Sequence, residues 1–106
     1  MSEQLKAQFE QALQKYKEIE SDREKYISDR QQLESQLTEN TLVKSLIGAC
    51  LIRQDIAEAR VNVEKRLEYI TAEIKRVDDN LSDCKEKAEA QKAKLLELQQ
   101  KFNTAK

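Results

Sequence analysis

Residues 56–105, IAEARVNVEKRLEYITAEIKRVDDNLSDCKEKAEAQKAKLLELQQKFNTA, decide the fold. Stepping through them by four and three in turn visits Ile56, Arg60, Val63, Leu67, Ile70, Ile74, Val77, Leu81, Cys84, Ala88, Gln91, Leu95, Leu98, Phe102 and Ala105. Thirteen of those fifteen positions are apolar and the register never skips. A repeat averaging about 3.5 residues over this many heptads is the mark of a left-handed coiled-coil seam. The same stepping upstream visits Leu5, Phe9, Ala12, Tyr16, Ile19, Arg23, Tyr26, Arg30, Leu33, Leu37 and Asn40, and eight of these eleven are apolar. Arg23, Arg30 and Asn40 break this first seam. They read as register-setting or snorkelling residues rather than as a binding site.

Composition supports two long helices. The 106 residues are 37% charged and hold one Gly, no Pro, no Trp and no His. Few residues are left to punctuate turns, which disfavours sandwiches, barrels and loop-rich enzymes. Without His, the usual general base and the commonest zinc ligand are missing. Net charge is −1, so nothing points to nucleic acid or to an anionic membrane. No apolar run reaches the ~20 residues of a membrane span, and Met1-Ser2-Glu3-Gln4 has none of the features of a secretion signal.

Between the seams, Leu42 to Arg53 form a dense apolar run around the single Gly. Gly48 fits either the positive-φ position of a two-residue hairpin turn or a plain turn between helices. Asp55 followed by Glu58 reads as a capping box, so the second helix is expected to start near Asp55. With the connector at mid-chain, the helices should run antiparallel, pairing Leu37 with Arg60, Leu33 with Val63 and Tyr16 with Leu81. That pairing leaves roughly the last ten residues of a helix about 75 Å long without a partner.

No catalytic or metal-binding arrangement emerges. The carboxylates Asp78, Asp79 and Asp83 read as a solvated helix face. Cys50 and Cys84 would lie ~40 Å apart along a helix, far beyond the ~7 Å limit for a disulfide, so both are expected to be reduced cytosolic thiols. Asn80-Leu81-Ser82 matches a glycosylation acceptor, but it falls within a helix of a chain with no expected secretion signal. Two places carry surplus apolar side chain. One is the connector, with Leu46, Ile47, Leu51 and Ile52 beside Gly48, Ala49 and Cys50; a lone hairpin there would want neighbouring strands from other chains. The other is the open end, with Leu5, Phe9 and Leu13 on the first helix and Leu95, Leu96, Leu98 and Phe102 on the second. Exposed apolar groups beside Lys92, Lys94 and Lys101 would grip non-native polypeptide weakly, or the end would fray or pair with another protomer.

The stretch from Glu58 to Arg76, EARVNVEKRLEYITAEIKR, resembles the start of the second helix of β-class prefoldin subunits. Residues 30–40, RQQLESQLTEN, are similar to part of that family's first helix, and residues 46–54, LIGACLIRQ, to its hairpin. The resemblance covers roughly residues 25–102. It implies one prefoldin β-like domain over residues 1–106, with helix 1 at about 2–43, a β-hairpin connector at about 44–54 and helix 2 at about 55–104. The fold class expected is all-α dominated, a long antiparallel two-helix coiled coil joined by a short β-hairpin.

The same resemblance implies a cytoplasmic hetero-hexamer with two α-class and three further β-class subunits. Such a complex captures unfolded actin- or tubulin-like clients at its coiled-coil tips and passes them to the cytosolic group II chaperonin without ATP or any cofactor. Under that reading Leu46–Ile52 form the assembly surface, and the open-end residues form the client surface. The rival is a structural coiled-coil scaffold or tether with no chaperone activity. The chain departs from the family pattern in two ways. About a dozen residues usual after the Asn40–Val43 region are missing, and Gly48-Ala49 stands where Gly-Pro is usual.

Overall fold

The computed structural model describes residues 2–49 and 54–104, with the side chains of residues 2 and 54–56 outside that description. Two helices account for these residues, α1 (Ser2–Ala49) and α2 (Gln54–Thr104). Glu3 in the first turn of α1 and Lys101 in the last turn of α2 suit the partial charges of those helix ends. The chain divides into two compact units, Met1–Tyr26 with Asn80–Lys106 (unit 1) and Ile27–Asp79 (unit 2).

The seam on α2 is seen directly in the burial pattern. Val63, Ile70, Val77, Cys84 and Leu98 are buried, at intervals of seven or, across Gln91, fourteen residues. Arg60, Leu67, Ile74, Leu81, Ala88, Gln91 and Leu95 are half-buried between them. One helix face is therefore covered from Arg60 to Leu98, with each fully buried aliphatic side chain stabilising the fold by about 1.5–3 kcal/mol. On α1 the seam is thinner. Leu5 and Ala12 are buried, Phe9, Tyr16, Ile19, Tyr26, Leu33 and Leu37 are half-buried, and Arg23 is exposed.

In unit 1, Leu5, Ala12 and Leu98 form one buried cluster with Phe9 and Leu95 packed against it. The Gln91 side-chain amide donates to the Ala12 carbonyl at 3.0 Å. The helices therefore run antiparallel, as expected, but the residue opposite Ala12 is Gln91 and not one near 85. The expected overhang is corrected by this pairing: Leu98 is only 6% exposed and has a partner. α1 runs to Ala49 and α2 starts at Gln54, whereas the expected pairing was counted from a connector at about 44–54.

In unit 2 the charge pairs Arg30–Asp78 and Lys44–Glu64 also fit an antiparallel arrangement. Each joins residues somewhat further along α2 than direct apposition gives. Helical side chains lean toward their own N-terminus, so two long side chains on antiparallel helices lean toward each other and meet with that offset.

The β-hairpin is corrected too. Among the described residues no strand is present, and Lys44 to Ala49 continue α1. Cys50, Leu51 and Ile52 lie outside the described residues, as does the Asp55 side chain of the expected capping box. Gly48 has no positive φ, the backbone conformation that a tight hairpin turn demands. Continuing an existing helix needs no new nucleus, whereas an isolated two-stranded hairpin is marginal in water. The weak helix formers just upstream do not stop α1 either. Thr38, Asn40 and Thr41 each bond the carbonyl four residues back, those of Glu34, Gln36 and Leu37.

Two outcomes follow from these placements. A Cβ added at Gly48 meets nothing within 4 Å, so Gly48→Ala should stabilise the chain by about 0.5–1 kcal/mol through helix propensity; destabilisation in urea titrations followed by helical circular dichroism would contradict a helical Gly48. In the same titrations Leu98→Ala should cost about 2–5 kcal/mol. Leu96→Ala, at a position 53% exposed, should stay within about 0.5 kcal/mol. Equal costs would contradict the covered seam at this end.

Candidate functional site

The seven residues expected to hold clients all lie in unit 1, but they do not form one exposed patch. The fold places Leu5 and Leu98 in the buried cluster, with Phe9 and Leu95 packed against it, and leaves Leu13 half-buried. Leu96 and Phe102 remain exposed, at 53% and 40%. Phe102 continues the seam of α2 one turn beyond Leu98, whereas Leu96 lies off it. Beside them a cleft of about 340 Å³ has Ala12 and Leu98 as its apolar floor and Gln8, Gln11, Lys15, Lys94, Glu97 and Lys101 around it. Lys101 pairs with Glu97 at 3.4 Å, both well exposed, so this ion pair contributes little. Such a surface offers small apolar contacts ringed by exposed charges.

The second candidate surface lies in unit 2. Leu42, Val43 and Leu46 share one face of α1 and are exposed, Leu46 the most at 68%. Ile47 is half-buried, and Gly48 and Ala49 are exposed. On α2, Val61 and Tyr69 are exposed as well. Tyr69 lines a shallow groove with Gln36, Asn40, Lys65, Arg66 and Ile70. Of these apolar groups, the sequence reading assigned Leu46 and Ile47 to the site. It missed Leu42, Val43, Val61 and Tyr69. The available signal was a large apolar residue off the seam of an otherwise amphipathic helix, where nothing within a two-helix pair can cover it.

The three polar seam residues of α1 behave differently from one another. Arg23 approaches Glu20 of its own helix at 4.0 Å. Asn40 donates to the Gln36 carbonyl of its own helix at 2.8 Å. Arg30 reaches across: its Nε donates to Asp78 Oδ1 at 2.6 Å, while Nη1 bonds Glu34. The hydrogen bond from Arg30 to Asp78, with the two nearby carboxylate charges, raises the guanidinium pKa further above its already high value. Gln91 is a fourth polar seam residue, and its bond to the Ala12 carbonyl explains how the apolar repeat tolerates it.

Among the described residues no group of three or more His, Cys, Asp or Glu side chains is placed to hold a metal ion. Cys84 is a free, buried thiol on the seam. Among the described residues no helix is long and apolar enough to cross a membrane. What these surfaces offer is non-covalent contact.

The sequence signature of the Prefoldin subunit family matches residues 3–102. The chain is 40% identical to prefoldin subunit 6 of Bos taurus, covering 99% of this chain and 92% of that one. It is 43% identical to the probable prefoldin subunit 6 of Caenorhabditis elegans, over 91% and 86% of the two chains. Against prefoldin subunit 6 of Saccharomyces cerevisiae it is 36% identical, over 79% and 85%. The bovine alignment runs over 118 positions against 106 residues here, so that relative carries about a dozen residues without a counterpart. No solved structure gives a significant match. With a family signature across nearly every residue and this level of identity along the whole length, the chain belongs to the prefoldin family.

Proposed function

We propose that the chain is a β-class subunit of a cytoplasmic hetero-hexameric co-chaperone, assembled with two α-class and three further β-class prefoldin subunits. It works without catalysis, ATP or cofactor. The observation that carries this reading is the similarity to prefoldin subunit 6 proteins along nearly the full length. Assembly uses the exposed apolar face of Leu42, Val43 and Leu46 on α1 together with Val61 and Tyr69 on α2. Unfolded actin- or tubulin-like clients are held in unit 1, by the exposed Leu96 and Phe102 and by the cleft that Ala12 and Leu98 line. Leu5, Phe9, Leu13 and Leu95 support that surface from beneath.

Each such contact is weak, because so little apolar surface is exposed in one place. Several tips on one assembly raise the effective concentration of one another, so a client held by one is recaptured before it escapes. Delivery to the cytosolic group II chaperonin then requires only that the combined contacts be individually easy to break.

The test is suppression of aggregation of chemically denatured actin, followed by light scattering, with the chain assembled among its partner subunits. Leu96→Ser with Phe102→Ser should reduce the holding capacity several-fold while leaving helix content and assembly unchanged, since both positions are exposed. Unchanged capture would remove these two residues from the client surface. A complex that assembles but never delays aggregation would favour a structural scaffold instead.

A further inference from the structure

The apolar seam does not by itself decide how far α1 is slid along α2. In unit 2 the α2 seam runs Val63, Leu67, Ile70, Ile74, Val77, with Leu81 following. A shift of seven residues in either direction exchanges one branched aliphatic for another at four of these first five positions, the exceptions being Cys84 for Val77 one way and Arg60 for Leu67 the other. A slipped pairing therefore keeps most of its apolar contact. Selection of one register must come from groups that are not interchangeable, and the charges joining the helices are such groups.

Arg30 occupies a seam position and is half-buried, its guanidinium held between Asp78 of α2 and Glu34 of its own helix. Seven residues beyond Asp78 stands Lys85, and seven before it stands Thr71. One slip thus brings Arg30 against a like charge and the other leaves it without its carboxylate. Lys44–Glu64 is lost in both slips as well, because the equivalent positions are Thr71 and Ala57. That pair spans 3.8 Å against 2.6 Å for Arg30–Asp78, the carboxylates being equally exposed in the two pairs, so by its geometry it is the weaker selector. A polar group at a single seam position is an established device for fixing register at some cost in stability. We infer that Arg30, through Asp78, is the residue that sets the pairing register of the two helices.

The inference is tested in the full chain with Cys50 and Cys84 replaced by Ala and spin labels attached at Gln36→Cys and Arg66→Cys. These two exposed positions line one groove, and a slip of one heptad moves them apart by about 10 Å along the axis. Pulsed dipolar spectroscopy should give one distance with Arg30 present. Arg30→Met keeps an apolar stem without the charge, and should add a second population at a longer distance, by about 2–4 Å because the slip lies at right angles to the separation of the two helices. Arg30→Glu should enlarge that population, and Arg30→Glu combined with Asp78→Arg should restore the single distance. A single unchanged distance in Arg30→Met, even with a lowered melting temperature, would overturn the inference. So would failure of the charge swap to restore it. Should Arg30→Glu lose its helix content, Arg30→Met alone decides.

Discussion

Everything in the molecule depends on one seven-residue repeat. Val63, Ile70, Val77 and Cys84 follow one another at that interval and Leu98 keeps it two repeats later, all of them buried. The half-buried positions between them complete a stripe narrow enough for a single partner helix to cover. Neither helix would be stable alone at this composition, because long helices in water draw most of their stability from a packed face. The seam also explains why a chain with 37% charged residues folds at all. Charges occupy the faces that remain in water, and the described residues leave no buried side-chain nitrogen or oxygen without a partner.

The second constraint is the lack of anything to stop α1. α1 runs to Ala49 and α2 begins at Gln54. No Pro is available, and the single Gly is used as an ordinary helical residue. The described part of the apolar run, Leu42 to Ala49, therefore forms the last turns of α1. Its outward face, Leu42, Val43 and Leu46, is left exposed. Within unit 1, Leu5 and Leu98 cover one another in a single buried cluster with Ala12.

The sequence made the two helices and the α2 seam legible because periodicity is a local property, repeated often enough to be unambiguous. It did not reveal the register. Ile70 and Val77 look alike to a pattern, so pairing had to be counted from an assumed connector, which nothing local fixes. The hairpin reading failed at Gly48 for a related reason: glycine permits a positive φ but does not require one. Arg30 was recognised as an anomaly, but its partner Asp78 lies forty-eight residues away and had been assigned to a solvated face. Leu98 and Leu95 were expected to be surplus apolar side chains, yet Leu98 is buried and Leu95 packs against its cluster. Whether they were covered depended on the register, which only the three-dimensional arrangement supplies.

Family membership makes a claim about company: this chain should exist as one part of a mixed assembly. The most direct measurement is native mass spectrometry of the chain co-expressed with the other prefoldin subunits of its source. A single hetero-hexameric mass containing one copy of the chain is the predicted result. Recovery of the chain only alone, or only paired with itself, would contradict the account.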